Sequence, residues 1–258
     1  MELNITCIQP DVVWEDREAN FHHLSDLLKP LAGKTDLVIL PEMFSTGFTM
    51  QPEKITDIGD DGDLQWMIRQ SGKLDAAVTG SFIAPVEGSY RNRLAFVTPD
   101  GQTSFYDKRH LFRMGEENQH YTPGNKIVDV SWKSWQIKPL ICYDLRFPVW
   151  IRSGTRPDLL IFIANWPASR REVWLTLLKA RAIENQVYTI GVNRVGTDGR
   201  KISYSGDTTV LDPKGNILKS APSGQESVLR VLLDKTEQDL FREKFPVHLD
   251  ADRFQIFT

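Results

Sequence analysis

Three residues of this chain, Glu42, Lys108 and Cys142, combine chemical types that can act together, although they lie far apart in sequence. Each stands where a strand-like run gives way to a loop. Glu42 follows Leu37-Val38-Ile39-Leu40-Pro41, Lys108 follows Thr103 to Asp107, and Cys142 follows Trp135 to Ile141. Residues that leave a sheet at one edge can converge in space, and strand ends are where sites in α/β proteins are commonly built. The set is complete for acyl transfer. A free thiol has a pKa near ~8.5 and is mostly protonated at neutral pH. A neighbouring carboxylate can take its proton during attack, and an ammonium can hold the charge that appears on a carbonyl oxygen. Taken singly, each residue also has a plainer reading: cysteine is a common core filler, and a lysine leaving a hairpin is ordinarily solvated.

The elements that must position these residues are legible from periodicity. Leu3, Ile5 and Cys7 fall on one face of a short strand that stops at Pro10. From Arg17 to Leu31, Phe21, Leu24, Leu27, Leu28 and Leu31 recur at helical spacing, with Pro30 marking the end and His22 and His23 off the stripe, in solvent. Asp36 to Leu40 reads as a strand buried on both faces. The loop from Met43 to Gln51, with Gly47 and Phe48, has no period and can line a pocket. A helix over 64–74 and a strand over 76–83 follow. Strands over 93–97 and 103–107 flank the turn Pro99-Asp100-Gly101 as a hairpin. Further strands are predicted over 127–130, 135–141, 158–163, 188–193, 207–211 and 227–232, with Pro213-Lys214-Gly215 as a second hairpin turn. Ser169 with Glu172 reads as a capping box for a helix that presents Val173, Trp174, Leu177, Leu178 and Ala182 on one face. Thr236 with Asp239 reads as the cap of a last helix, stopped by Pro246.

The halves repeat one another. Asp36-Leu37-Val38-Ile39-Leu40 matches Asp158-Leu159-Leu160-Ile161-Phe162, and the two hairpin turns correspond, which predicts halves related by a pseudo-twofold axis. Mixed strands, helices and hairpins predict two sheets packed face to face with helices outside, rather than one doubly wound sheet. A chain of 258 residues is expected to form a single domain over 1–258.

Composition narrows the function classes. A net charge of -3 with 25% charged residues carries no nucleic-acid footprint. The two cysteines, Cys7 and Cys142, form no CxxC pair and no Cys/His cluster, which argues against a disulfide framework and a structural zinc site. The N-terminus lacks a signal-like pattern and no apolar run reaches membrane-spanning length, so a soluble cytoplasmic protein with no membrane partner is expected.

Leu40-Pro41-Glu42, Lys108-Arg109-His110-Leu111-Phe112 and Ile141-Cys142-Tyr143-Asp144-Leu145-Arg146-Phe147 resemble, in that order, the three signature segments of the nitrilase (carbon-nitrogen hydrolase) superfamily. With Tyr121-Thr122-Pro123-Gly124 and the segment Lys179 to Tyr188, the resemblance spans nearly the whole chain. Within the superfamily the wording is most similar to bacterial Nit-type omega-amidases, or 2-oxoglutaramate amidases. The resemblance implies a four-layer α-β-β-α sandwich, a homodimer, no metal or organic cofactor, and a small-molecule amide substrate. It implies hydrolysis of the terminal amide of short 2-oxo dicarboxylic acid monoamides, such as 2-oxoglutaramate and 2-oxosuccinamate, through a cysteine thioester. By position, Cys142 is then the nucleophile, Glu42 the general base and Lys108 the oxyanion-holding cation. An accessory glutamate falls on Glu117, with Glu116 one residue away, and the backbone N–H of Tyr143 is a second oxyanion donor.

A substrate carboxylate must be met by a cation when it is buried. Arg146 is the first candidate, with Arg170 and Arg194 behind it; an ion pair of Arg146 with Asp144 or Glu117 is the alternative. Phe48, Phe112 and Trp166 are candidate pocket walls. The chain departs from the animal omega-amidases at Ala164-Asn165-Trp166-Pro167, where a Pro-Gly-Ala type segment is expected, and this leaves the substrate pocket open. Rival readings are a nitrilase or N-carbamoyl amidohydrolase, a catalytically silent scaffold or binding protein, and a Cys-His hydrolase using His110 or His120.

Overall fold

Two six-stranded sheets carry the fold. In the computed structural model, which describes residues 1–55 and 60–257, the first half runs through β1 (Glu2–Gln9), α1 (Arg17–Leu28), β2 (Leu37–Ile39), α2 (Gln65–Leu74), β3 (Ala77–Val86), β4 (Ser89–Val97) and β5 (Thr103–Asp107). The second half opens with α3 (Glu117–His120), β6 (Val130–Trp132), β7 (Trp135–Ile141), α4 (Pro148–Arg152), β8 (Leu159–Ala164) and α5 (Arg171–Asn185). It closes with β9 (Tyr188–Asn193), β10 (Val195–Thr197), β11 (Ser203–Ser205), β12 (Thr209–Leu211), β13 (Ile217–Ser220), β14 (Ser227–Asp234) and α6 (Lys235–Lys244).

One sheet has the order β14-β1-β2-β3-β4-β5 and the other β6-β7-β8-β9-β12-β13. Read in those directions, both sheets have the same neighbour senses: antiparallel, parallel, parallel, antiparallel, antiparallel. The matching runs at 36–40 and 158–162 supply β2 and β8, the third strand of each sheet, and the two hairpin turns join β4 to β5 and β12 to β13. The halves therefore repeat one topology, in agreement with the pseudo-twofold relation predicted from the sequence.

Side-chain alternation builds the layers. In the first sheet, Leu3, Ile5, Cys7, Leu37, Ile39, Leu94 and Phe96 face inward and pack with Ile137, Ile161 and Ile190 of the second. Their alternating neighbours Ile8, Val38, Val78, Ala95 and Val97 face outward, against Leu24 and Leu28 of α1 and Trp66, Met67 and Leu74 of α2. The second sheet is covered in the same way by Trp174, Leu178 and Ala182 of α5. The result is the expected α-β-β-α sandwich. Among the described residues, no helix is long and apolar enough to cross a membrane.

Among the local differences from expectation, which include strands starting at Ser89 and Thr209 and one running on to Asp234, three have a clear local cause. The strand expected over 127–130 is Val130–Trp132, because Lys133 and Ser134 both adopt positive φ in a tight two-residue turn and the pairing with β7 starts from that turn. Ser169 does not cap α5: Ala168–Arg170 forms a 3-10 turn, and the helix begins at Arg171 without a side-chain cap. Asp234, not Thr236, caps α6, accepting a hydrogen bond from the Thr236 amide at 2.9 Å.

Candidate active site

The exits of β2 and β5 in one sheet and of β7 in the other meet at one end of the sandwich. There the Lys108 ammonium, 1% exposed, donates to Glu42 Oε1 at 2.7 Å and to both Glu117 oxygens at 3.0 and 2.9 Å. Glu116 turns the chain with φ 66° and stays exposed, so it is Glu117, at the start of α3, that points inward. Glu117 also accepts from the Phe112 amide at 2.6 Å. Asn92, from the middle of β4, bridges the two carboxylates, donating to Glu42 Oε1 at 2.8 Å and Glu117 Oε1 at 3.2 Å. Asn165 completes the cage: its amide donates to Glu42 Oε2 at 2.8 Å, and its side chain donates to the Glu42 carbonyl at 2.6 Å. The Ala-Asn-Trp-Pro departure thus holds Glu42 in place.

Cys142 opens a 3-10 turn, Cys142–Arg146, with φ 44°. A non-glycine residue in that region is uncommon, and such geometry persists only where the surroundings impose it. Here Asp144 imposes it. This buried carboxylate accepts from the Ile141 amide at 3.1 Å, the Tyr106 hydroxyl at 2.7 Å and the His110 amide at 3.0 Å, and lies 2.8 Å from His110 Nδ1. The turn that presents the thiol is thereby fastened to the segment that presents Lys108. Tyr143 is the second residue of the turn, where the first N–H groups of a helix lack helical acceptors.

Two carboxylates share one ammonium in this water-poor space. Burial pushes the Cys142 thiol well above its ordinary pKa, the charges of Glu42 and Glu117 push the same way, and Lys108 opposes them. The thiol is therefore protonated at rest. Burial also raises Glu117 against the pull of Lys108. Lys108 itself is destabilised by burial, yet Glu117 and Glu42 outweigh that and raise it, so it remains an ammonium.

Cys142 lies at the bottom of a cavity of about 140 Å³. Phe48, Phe112 and Trp166 line it, together with Tyr143 and Tyr204. Arg146 lies over the Trp166 ring at 5.4 Å and Arg170 over Phe112 at 5.4 Å, both facing the cavity. Neither Asp144 nor Glu117 pairs with Arg146, since both are taken up by the partners given above. Arg194 is not in the lining: it is fully buried behind it, bonded to the Val195 carbonyl at 2.8 Å and Asp11 at 3.2 Å, and stacked on Tyr204. Neither His110 nor His120 lines the cavity, and His110 is stacked on Phe147 at a centroid distance of 3.7 Å. Among the described residues, no group of three or more His, Cys, Asp or Glu is arranged to hold a metal ion.

Sequence reasoning passed over Asn92, Asn165 and Arg200, which also lines the cavity. Asn165 left one signal, its place in the departing Ala-Asn-Trp-Pro segment. Asn92 and Arg200 left none, one being a polar residue within a strand and the other lying in a turn.

The carbon-nitrogen hydrolase family matches residues 4–241. The chain is 43% identical over 255 residues to the omega-amidase YafV of Escherichia coli strain K12, covering 99% of each chain. It is 28% identical to the 2-oxoglutaramate amidase of Bacillus subtilis, over 97% of this chain and 98% of that one. Among solved structures, the CN-hydrolase superfamily protein XC1258 of Xanthomonas campestris, which carries an arsenic adduct in its active site, superposes with a TM-score of 0.95 at 42% identity, covering 100% of both chains.

Proposed function

The chain belongs to the carbon-nitrogen hydrolase family, and from that premise we propose that it is an omega-amidase. It hydrolyses the terminal amide of short 2-oxo dicarboxylic acid monoamides, 2-oxoglutaramate and 2-oxosuccinamate, to the 2-oxo acid and ammonia. One observation carries the reading: a buried Lys108 held between Glu42 and Glu117 beside a protonated Cys142, beneath a cavity faced by arginines. The names of the full-length relatives support the substrate class.

In this mechanism Cys142 Sγ attacks the amide carbon while Glu42 takes the thiol proton. Because the thiol is held well above its ordinary pKa, proton transfer accompanies attack rather than preceding it. The same transfer neutralises Glu42, one of the carboxylates that hold the Lys108 ammonium. A lysine N–H is thus released toward the new oxyanion at the moment that oxyanion forms, with the Tyr143 amide as the second donor. Glu117 keeps Lys108 in position throughout. Glu42 then passes its proton to the departing nitrogen, ammonia leaves, and the acyl group remains as a thioester on Cys142. Water, deprotonated by Glu42, attacks the thioester; the acid departs and the thiol regains its proton.

In this reading Arg146 and Arg170 hold the substrate's carboxylate, and Phe48, Phe112 and Trp166 pack on its short chain; their positions in the cavity lining support it. The working form in this reading is a homodimer in the cytoplasm. Exposed Leu240, Phe245 and Leu249 support the first statement, and two free cysteines support the second.

An ammonia-release screen tests the function. The wild type is expected to turn over 2-oxoglutaramate in preference to nitriles and N-carbamoyl amino acids, and Cys142→Ala is expected to release none while unfolding at the same temperature as the wild type. A preference for nitriles moves the chain to another branch of the family. Normal turnover in the variant removes the thioester mechanism.

A further inference from the structure

The cavity mouth has one component that belongs to neither sheet. β10 and β11 form a separate two-stranded hairpin, and its tip brings Arg200 and Ile202 to the cavity. The tip is built rather than loose. Asp198 accepts from the amides of Arg200 and Ile202 at 2.9 Å each and from the Tyr204 hydroxyl at 2.8 Å. Gly199 lies flush on the Trp14 indole, where an added Cβ would come within 2.4 Å of Nε1. The backbone that carries Arg200 is therefore set before any ligand arrives.

The charges around that mouth are unbalanced. Arg146, Arg170 and Arg200 all face the cavity, and none of them makes an ion pair among the described residues. Asp198 is the acidic residue in the lining, and the hairpin's own donors occupy both of its oxygens. Arg146 and Arg170 rest on aromatic rings of the main body, Trp166 and Phe112, whereas Arg200 comes from a different element. A 2-oxo acid end presents a carboxylate and an adjacent ketone oxygen, more acceptor sites than one guanidinium fork can satisfy.

We propose that the β10–β11 hairpin is a specificity arm and that Arg200 is a specificity-determining residue, meeting the acidic end of the amide substrate from an element separate from those that carry Arg146 and Arg170. This rests on the omega-amidase reading above and extends it to a residue on a separate element. Arg200 is exposed and, among the described residues, makes no side-chain bond that its replacement would break, so substitutions there read recognition rather than folding.

The experiment compares kcat/KM for 2-oxoglutaramate with kcat/KM for pentanamide, an uncharged amide of the same chain length, in the wild type, Arg200→Lys, Arg200→Ala and Arg200→Glu. The ratio of the two values is expected to fall in that order, on the order of 10- to 100-fold for Arg200→Ala as one charge-assisted contact is lost, and further for the reversed charge. The loss should sit mainly in KM. A ratio that stays constant across the series, or a loss shared equally by both amides, overturns the assignment of Arg200 while leaving the amidase reading intact. A wild type that releases ammonia from neither amide overturns the amidase reading, and the arm with it.

Discussion

Lys108 is where the candidate site is most dependent on single contacts. Its ammonium is gripped by Glu42 and by both oxygens of Glu117, and Asn92 ties the two carboxylates together. In the proposed mechanism the lysine acts on the oxyanion, which exists only after attack, so its loss must appear in the chemical step. Lys108→Ala is expected to lower kcat on the order of 10²–10³-fold. An effect confined to KM would contradict that role. The variant also leaves two buried carboxylates without their cation, so its unfolding should be recorded alongside its kinetics.

At the scale of elements, the strained turn after β7 depends on the loop after β5. Asp144 is the tie between them, accepting from donors on both segments and on Tyr106. In Asp144→Asn one acceptor oxygen becomes an NH₂ group that must face a donor, so a buried N–H or O–H goes unpaired at a cost of ~1–3 kcal/mol. The expected result is a lower denaturation midpoint together with reduced kcat, as Cys142 loses its fixed φ. Cys142→Ala should keep its midpoint, because the backbone tie is untouched. If Asp144→Asn unfolds and turns over like the wild type, Asp144 does not hold the turn.

For the whole molecule, the inner face of the sandwich carries a thiol unrelated to the site. Cys7 on β1 is fully buried between the sheets, and burial pushes its pKa from 9.0 up to about 12. The folded chain therefore keeps a proton that the unfolded chain sheds above pH 9.0. A group whose folded pKa is raised contributes its full stability below the unfolded pKa and loses it as pH rises toward the folded one. Between pH 9.0 and about 12 the Cys7 contribution should decline by ~1.4 kcal/mol per pH unit. Urea titrations at several pH values across that window should show a shallower decline in Cys7→Ala than in the wild type. Parallel slopes would mean that the thiol is not sealed in the core.

What the sequence determined by itself was local burial and its punctuation. Thr103–Asp107, Trp135–Ile141 and Tyr188–Asn193 were predicted with the bounds they have, because an apolar or alternating run between turn signals records a strand's environment directly. The same signal carried the repeat at 36–40 and 158–162, and with it the paired sheets. It also marked Glu42, Lys108 and Cys142 as strand exits, which the structure brings to one place. Helix starts were less legible, since Ser169 and Thr236 each lie within a turn of other polar residues and only the backbone path decides whether any of them caps: none does at α5, and Asp234 does at α6.

Tertiary structure alone decided the partners. Asn92 reaches Glu42 across 50 residues and Asn165 across 123, distances that no periodicity encodes. A single left-handed residue, Glu116, decided that Glu117 faces Lys108. Arg194, a candidate for the substrate carboxylate from the sequence, is sealed behind Tyr204, whereas Arg200, which left no signal there, is carried to the cavity by a hairpin outside both sheets. The physical reason is the same in each case: burial is a property of one element and its period, whereas a site at the edge of two packed sheets depends on how their exits are aimed at one another.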